Sequence, residues 1–398
     1  MNSQLSFLPA APVERIGPLT TLRFVAALLV VMYHTLPRGQ GGERFEQLGT
    51  KVVDLGFTAV GLFFVLSGFI LSTVYPKLDG RDGIIRFAVA RVARIVPVYA
   101  ATLLMDLPRL LAWRIAKSGL VIGTLIAGGQ FISQLLMLQA WFPPLGGLNF
   151  PSWSVATEAF FYAMFPLLLP YMMRSRGLAT SVALLVGFWL LGFAVALGPM
   201  LLFEPAPPWI DAMISHNPIG RLPEFASGIV LANIGLLLKT KYARATGGVR
   251  FLALILGLMG YFSVGLLQEM LPTSTLQNAA LVPFYGLVIL GMATREGIIS
   301  QLISHPLLLL LGEASYALYL LHIPCWTAFL ALGGKADTWA YAVYIVAAIG
   351  ASLLLHVWFE KPMRRWVLVR WAGGRSAGVF EPAPASLMDS ASRRQPLP

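Results

Sequence analysis

Apolar residues occur along this chain in long runs, separated by short segments that carry most of the charges. A run of about 20 apolar residues is long enough for a helix to cross the hydrocarbon core of a bilayer. The pattern therefore predicts an all-α polytopic integral membrane protein with about ten transmembrane helices. The predicted spans are residues 18–36, 56–75, 95–108, 153–172, 178–201, 222–238, 250–268, 278–293, 307–330 and 338–359.

One further stretch, residues 119–140, is apolar but rich in Gly, Gln and Ser, so it either crosses the membrane or lies as a hairpin within the bundle. Cytoplasmic loops of membrane proteins are enriched in Lys and Arg. If residues 119–140 do not cross, most of the 29 Lys and Arg residues fall on the cytoplasmic side. We therefore predict ten spans with cytoplasmic N- and C-termini, although the basic patch at residues 109–117 then lies outside.

The spans divide the chain into three predicted parts. Residues 1–17 form a short cytoplasmic lead, residues 18–370 form one membrane domain, and residues 371–398 form a cytoplasmic tail. The tail contains few large apolar residues that could form a core, so it is predicted to be disordered.

Composition narrows the class of protein and the kinds of site. The chain is 57% hydrophobic and only 12% charged, whereas soluble proteins carry about 25% charged residues. The net charge of +11 is the excess expected of basic cytoplasmic loops, so we predict no nucleic-acid partner. The single cysteine excludes an intrachain disulfide, and the histidines lack zinc-type spacing, so no metal site is predicted.

Arg23 and His34 stand out in the first span, because ionisable groups inside a membrane helix are costly and mark functional sites. Their separation is about three helical turns, which places both on one face. A polar stripe on an otherwise apolar helix indicates that this face lines a cavity. The alternative is that Arg23 extends to the membrane interface and His34 only ends the span.

The other ionisable groups fall at two depths in the ten-span arrangement. Arg91 and Arg94 enter the third span at its cytoplasmic end. Glu158 lies near the outer end of its span, at the depth of His34, and His322 lies in the outer half of the ninth span. The alternatives are that the two arginines are ordinary positive-inside anchors and that His322 is a packing residue.

Three other positions are predicted to be structural. Ser67 and Gly68 in the second span are small residues that suit close helix packing in lipid. Glu224 lies at the start of its helix, where a carboxylate favours the positive end of the helix dipole.

Six segments resemble, in the right order, the motifs of the membrane acyltransferase-3 family, which O-acylates bacterial surface polysaccharides, lipooligosaccharides and related glycans. The resemblance covers about residues 18–366. The segments are LTTLRFVAALLVVMYH, GLFFVLSGFIL, Arg91-x-x-Arg94-Ile-x-Pro97, PSWSVATEAFFYAMFP, LGEASYALYLLHIP and FEKPMRR. Some family members carry a C-terminal esterase-like domain outside the membrane, and this chain lacks room for one.

The resemblance implies an enzyme of the bacterial cytoplasmic (inner) membrane. It would move an acyl group, acetyl in the simplest case, from cytoplasmic acyl-CoA to a hydroxyl of a sugar, exopolysaccharide or lipid-linked glycan. Acyl-CoA would be a co-substrate, with no permanently bound cofactor. Its implied partners are membrane lipid, the donor, the glycan acceptor and polysaccharide-assembly proteins.

The resemblance also implies roles for particular residues. His34 would act as a general base on the acceptor hydroxyl or as a transient acyl carrier, and Glu158 would orient its ring. Guanidinium groups suit the phosphates of CoA. The implied substrate-binding residues are Arg23, Arg91, Arg94, Ser152, Trp153, Tyr316 and His322.

Two other classes of function remain open at this point. A transporter or flippase for a glycan intermediate would also have many spans with polar groups inside, although the chain shows none of the paired repeats typical of transporters. A membrane scaffold would use the polar groups only to hold its helices together.

Overall fold

The computed structural model describes residues 16–36, 51–174, 177–202, 213–241, 246–267, 270, 275–293, 298–334 and 338–371. These residues form helices, turns and short connections, with no β-strand among them. The predicted all-α class is therefore confirmed. Most of the predicted lead and tail lies outside the described residues, and the orientation of the termini stays a prediction.

The main α-helices in the described parts of the chain follow one another in this order. They are α1 Gly17–Thr35, α2 Ala59–Val74, α3 Gly80–Ser118, α4 Leu120–Leu135, α5 Trp153–Met172, α6 Leu178–Leu202, α7 Pro218–Lys241, α8 Thr246–Leu266, α9 Val282–Met292, α10 Ile298–Ile303, α11 Pro306–Ala331, α12 Thr338–Leu355 and α13 Lys361–Trp371.

Within the described ranges, nine helical segments are long and apolar enough to cross a membrane. The eighth predicted span, residues 278–293, is occupied by α9, an apolar helix of only 11 residues preceded by a π-helical turn at Leu276–Ala280. The chain is thus a multi-pass membrane protein, as the apolar pattern predicts. Helix α9 is shorter than the predicted span because the residues before it, Leu276–Ala280, form a π-helical turn and do not extend the α-helix.

The stretch at 119–140 forms a hairpin with α3. Helix α4 runs back along α3: Gly123 lies against the carbonyl of Arg114, and the Tyr99 hydroxyl donates to the Gln134 carbonyl at 2.6 Å. At 16 residues, α4 is about 24 Å long, shorter than a hydrocarbon core of about 30 Å. This is the geometry of the non-crossing alternative.

Two arginines of the basic patch at residues 109–117 have polar partners within the same hairpin. Arg109 donates to both carboxylate oxygens of Asp106, at 2.6 and 2.7 Å, and Arg114 donates to the Gln130 side chain at 2.9 Å. Asp106 also accepts the backbone N–H of Asn149 at 2.7 Å. These arginines therefore hold the loop that leads into α5.

Close contacts between helices position the elements that surround the candidate active site. A Cβ added to Gly68 or Gly228 would meet the backbone of the facing helix, so α2 and α7 cross in direct contact. Gly312 of α11 lies in the same way against the Thr20 carbonyl of α1. Since His34 further along α1 meets His322 further along α11, these two helices run side by side in the same direction.

Replacing Gly228 by valine is expected to lower the free energy of unfolding by about 3 kcal/mol, because the added carbons would meet the Val65 carbonyl of α2. Thermal unfolding of the purified protein in detergent measures the change. Gly187→Val is the matched control, since a Cβ there meets no atom within 4 Å. Equal unfolding temperatures for the two variants would contradict the packing described for α2 and α7.

Candidate active site

A partly open cavity lies between α1, α2, α3, α5 and α11. Its charged lining residues are Arg23, Arg91, Arg94 and Glu158. Each arginine comes from a position that the sequence places near the cytoplasmic ends of α1 and α3. The cavity is therefore a mainly cationic chamber inside a membrane bundle, which suits an anionic ligand.

Arg91 is held among aromatic rings on one side of this cavity. Its guanidinium carbon lies 5.6 Å from the ring centre of Tyr75, 5.9 Å from that of Phe87 and 5.8 Å from that of Tyr162. Its Nη2 also donates to the Tyr75 hydroxyl at 3.4 Å. Cation–π contacts of this kind hold the guanidinium in place without neutralising its charge.

Arg94 is paired with a carboxylate at the end of the bundle. It forms an ion pair with Glu360, which follows α12, and its Nη2 donates to the Glu313 carbonyl at 3.4 Å. Its guanidinium also lies 5.4 Å from the ring centre of Tyr316, whose hydroxyl donates to the Ile95 carbonyl at 2.9 Å. Unlike Arg91, Arg94 is thus already balanced by a buried acid.

Glu158 lies in the cavity with the arginines. Its Oε1 accepts hydrogen bonds from Ser67 at 3.0 Å and from Tyr162 at 2.6 Å. The sequence grouped Glu158 by depth with His34, on the outer side. The structure brings it to the arginines instead, because Tyr162 follows one turn later on α5 and shares the same face. Ser67, predicted to be a packing residue, lines the same cavity.

His34 and His322 form a histidine pair beside the cavity. Nδ1 of His34 and Nε2 of His322 are 3.2 Å apart, and the two ring centres are 5.2 Å apart. His34 is half-buried, whereas His322 is fully buried. Among the described residues, neither histidine belongs to the lining of the cavity.

Tyr319 separates the histidine pair from the cavity. Its side chain lines the cavity together with Phe63, whose ring centre is 6.0 Å from that of Tyr319. On its other side, the Tyr319 ring centre lies 5.9 Å from that of His322. The Tyr319 hydroxyl contacts Ser154 at 2.7 Å and donates to the Pro151 carbonyl at 3.0 Å. One aromatic layer therefore stands between the arginines and His34.

The predicted substrate-binding residues fall into two groups. Four of them, Arg23, Arg91, Arg94 and Tyr316, line the cavity, and Ser152, Trp153 and His322 do not. Ser152 is buried, and its hydroxyl accepts from the side chains of Gln134 and Gln139 at 3.2 and 3.4 Å. In this position Ser152 fixes the start of α5.

Trp153 packs against His216, with ring centres 4.2 Å apart, rather than facing the cavity. The residues of this segment that do line the cavity are Ser154 and Val155. The helix start therefore directs the following residues, not Trp153, towards the arginines.

Two buried glutamates have ion-pair partners that the sequence did not reveal: Glu360 was not singled out, and Glu224 was given only a role at the end of its helix. Glu360 pairs with Arg94 and accepts from His356 at 2.9 Å, and the only signal for it was its place in the FEKPMRR segment. Glu224, predicted to favour the end of its helix, is 1% exposed and forms an ion pair with Arg221 at 2.9 Å. Arg221 also donates to the Asn278 side chain.

The helices thus define a multi-pass membrane protein with a buried cationic cavity and an adjoining histidine pair. A family model described as an acyltransferase domain matches residues 18–357. The chain therefore belongs to the acyltransferase-3 family, and it is a membrane acyltransferase. The resemblance read from the six segments is confirmed, and the class of enzyme replaces the transporter and scaffold alternatives.

The chain is similar to several bacterial proteins. It is 30% identical to "Acyltransferase MdmB" of Streptomyces mycarofaciens, over 94% of this chain and 97% of that protein. It is 23% identical to "Putative O-acetyltransferase SACOL0978" of Staphylococcus aureus, over 92% of this chain and 60% of that protein.

A third relative is "Putative peptidoglycan O-acetyltransferase YrhL" of Bacillus subtilis, which is 27% identical over 86% of this chain and 54% of that protein. The chain thus spans nearly all of the first relative but only a little over half of the other two. No solved structure was found to match the chain.

Proposed function

We propose that this protein is an acyl-CoA-dependent O-acyltransferase of the bacterial cytoplasmic membrane. It transfers an acyl group, acetyl in the simplest case, to a hydroxyl of a sugar, exopolysaccharide or lipid-linked glycan. The observation that carries the proposal is the cavity that collects Arg23, Arg91 and Arg94 inside the bundle of a membrane acyltransferase.

The arginines support acyl-CoA as the donor. The nucleotide end of CoA carries several phosphate groups, and guanidinium groups bind phosphate through charged, often bidentate hydrogen bonds. Arg91 keeps its charge uncompensated by its aromatic neighbours, so it is the first contact for a phosphate. A ligand phosphate at Arg94 would compete with Glu360 or share the guanidinium with it.

His34 supplies the base in this proposal. The acceptor hydroxyl loses its proton to the imidazole as its oxygen attacks the thioester carbonyl. The carbon–sulfur bond then breaks, CoA leaves as a thiolate, and the imidazolium returns the proton to it. The products are an ester of the acceptor and free CoA.

Delivery of the thioester to His34 requires the layer between the two sites to move. The cavity ends at Phe63 and Tyr319, and His34 lies beyond Tyr319. The pantetheine arm of CoA is long and narrow, so a change in the side-chain positions of these two rings would let it pass. The acceptor would then meet the acyl group from the other side, where His34 is half-buried.

The name of one relative supports a glycan acceptor. YrhL is named for peptidoglycan and SACOL0978 for O-acetyl transfer, and both are longer than this chain. Mass spectrometry of envelope glycans from a deletion strain would identify the acceptor. We expect the glycans of the deletion strain to lack the mass of one acyl group. The proposal would be rejected if the glycan masses were unchanged and the purified protein released no CoA.

Replacing Arg91 by glutamine is expected to weaken CoA binding at least about tenfold, because a charged hydrogen bond is worth about 1.5–3 kcal/mol. Isothermal titration of the purified protein with CoA measures the affinity. Arg91 is preferred to Arg94, since an Arg94 variant would leave the buried Glu360 without its arginine.

Arg86→Gln provides the matched control for this titration. Arg86 is an exposed arginine on the same helix and lies outside the cavity lining. CoA should bind the Arg86 variant as tightly as the wild type. Equal affinities for the Arg91 variant and the wild type would show that the cavity does not hold the nucleotide.

A further inference from the structure

We propose that His322 is a positioning residue that, together with the Val30 carbonyl, holds His34 in the tautomer whose Nε2 is the basic nitrogen. The inference rests on the proposed function, since it concerns the base of that reaction. It also assigns the supporting role to a second imidazole rather than to Glu158.

Two backbone carbonyls determine where the ring protons lie. Nδ1 of His322 lies 2.5 Å from the Tyr319 carbonyl, and Nδ1 of His34 lies 3.0 Å from the Val30 carbonyl. A carbonyl oxygen can only accept a hydrogen bond, so each Nδ1 must carry a proton. In neutral imidazoles, Nε2 of both rings is then unprotonated.

The contact between the two rings agrees with this assignment. Nε2 of His322 lies 3.2 Å from Nδ1 of His34. With the protons placed as above, His322 accepts at this nitrogen and His34 donates, sharing its proton between His322 and Val30. All three contacts are therefore satisfied by one arrangement of protons, and no ring has to be charged.

The consequence for the reaction concerns the other nitrogen of His34. With Nδ1 protonated, the lone pair lies on Nε2, which is where a proton from an acceptor hydroxyl would go. Once His34 becomes an imidazolium, its Nδ1–H is a charge-assisted donor to His322, which stabilises the charged form. The orienting group of a base thus need not be a carboxylate.

The surroundings keep His322 in place for this role. Its side chain is 0% exposed, so it is held away from bulk water and from a bound acceptor. Its own backbone carbonyl accepts from the Tyr344 hydroxyl at 2.9 Å, and Asn149 donates to the carbonyl of Leu320 at 2.8 Å. Glu158, in contrast, is engaged by Ser67 and Tyr162 inside the cavity.

Nitrogen-15 NMR of histidine-labelled protein in lipid bilayers tests the tautomer directly. The chain has only 5 histidines, so the signals can be assigned by comparing the wild type with His34→Gln and His322→Gln. We expect His34 to be protonated at Nδ1 and unprotonated at Nε2 above neutral pH. A wild-type His34 protonated at Nε2 would overturn the inference.

Kinetics of two His322 variants test the positioning role. His322→Leu removes the acceptor and is expected to lower kcat about 100-fold with unchanged CoA affinity. His322→Gln offers a carbonyl oxygen as acceptor, and its kcat is expected to be at least tenfold higher than that of His322→Leu. Equal kcat for the two variants at matched thermal stability would show a packing role only.

The results distinguish a failure of this inference from a failure of the proposed function. If the wild-type protein releases no CoA and acylates no glycan, the proposed function fails, while the NMR spectrum still reports the tautomer. If the wild type transfers acyl groups but His34 is the other tautomer, only the role of His322 is lost.

Discussion

Replacing His34 by glutamine is expected to lower the rate of acyl transfer by about 10²–10⁴-fold, the usual contribution of a general base. CoA affinity should stay unchanged, because His34 lies outside the lining of the arginine cavity in the described structure. Release of free CoA by purified protein, with an acylatable glycan fraction as acceptor, measures the rate, and titration with CoA measures the affinity.

The control for this experiment is His305→Gln. His305 is exposed at the start of α11, and its ring accepts from the Leu307 backbone, so its replacement should leave the rate unchanged. Full activity of the His34 variant would remove His34 from the reaction. Intact-protein mass after incubation with donor alone separates the two roles for His34, since an acyl carrier would gain the mass of one acyl group.

The buried pair Arg221 and Glu224 is expected to give the largest change in stability. Both side chains are 1% exposed, and removing one member leaves the other charge buried. Arg221→Met is therefore expected to lower the free energy of unfolding by about 3–5 kcal/mol. Denaturant unfolding in detergent micelles measures the loss.

The double variant Arg221→Met/Glu224→Leu is the matched control, because it removes both charges together. It should recover at least half of the lost stability, since apolar replacements of a buried ion pair are often neutral. The guanidinium of Arg221 lies 5.1 Å from the ring centre of Phe64, which lines the cavity. A double variant as unstable as the single one would show that the charge pair is not the cause.

The all-α class and most of the membrane-spanning segments could be predicted from the sequence, because both depend on local apolar patterns. Apolar runs predicted the spans, and the composition of residues 119–140 left open the hairpin that α3 and α4 form. The short α9 was predicted as part of a longer span, residues 278–293, because the sequence does not show that residues 276–280 form a π-helical turn. Backbone geometry of this kind leaves little trace in hydrophobicity.

The candidate site was predictable only in part. Ionisable residues in or at the ends of the predicted spans drew attention to Arg23, Arg91 and Arg94, and these three line one cavity. Depth alone placed Glu158 beside His34, because depth does not say which way a helix face points. Hydrogen bonds from Ser67 and Tyr162 instead hold that carboxylate among the arginines.

Pairs of residues from distant parts of the chain could not be predicted from the sequence either. Arg94 pairs with Glu360, and His34 pairs with His322. Each pair joins segments far apart in the chain, whose contact depends on how the whole bundle packs. The ionisable residues were visible, but their partners were decided by tertiary structure.

A structure with a non-hydrolysable analogue of acetyl-CoA bound would test most directly whether a donor held by the arginines reaches His34. We expect the phosphates at Arg91 and Arg94, Phe63 and Tyr319 displaced, and the acyl carbonyl beside Nε2 of His34. A nucleotide bound outside the cavity, or an acyl group that stays on the cavity side of Tyr319 with His34 out of reach, would contradict this route of transfer.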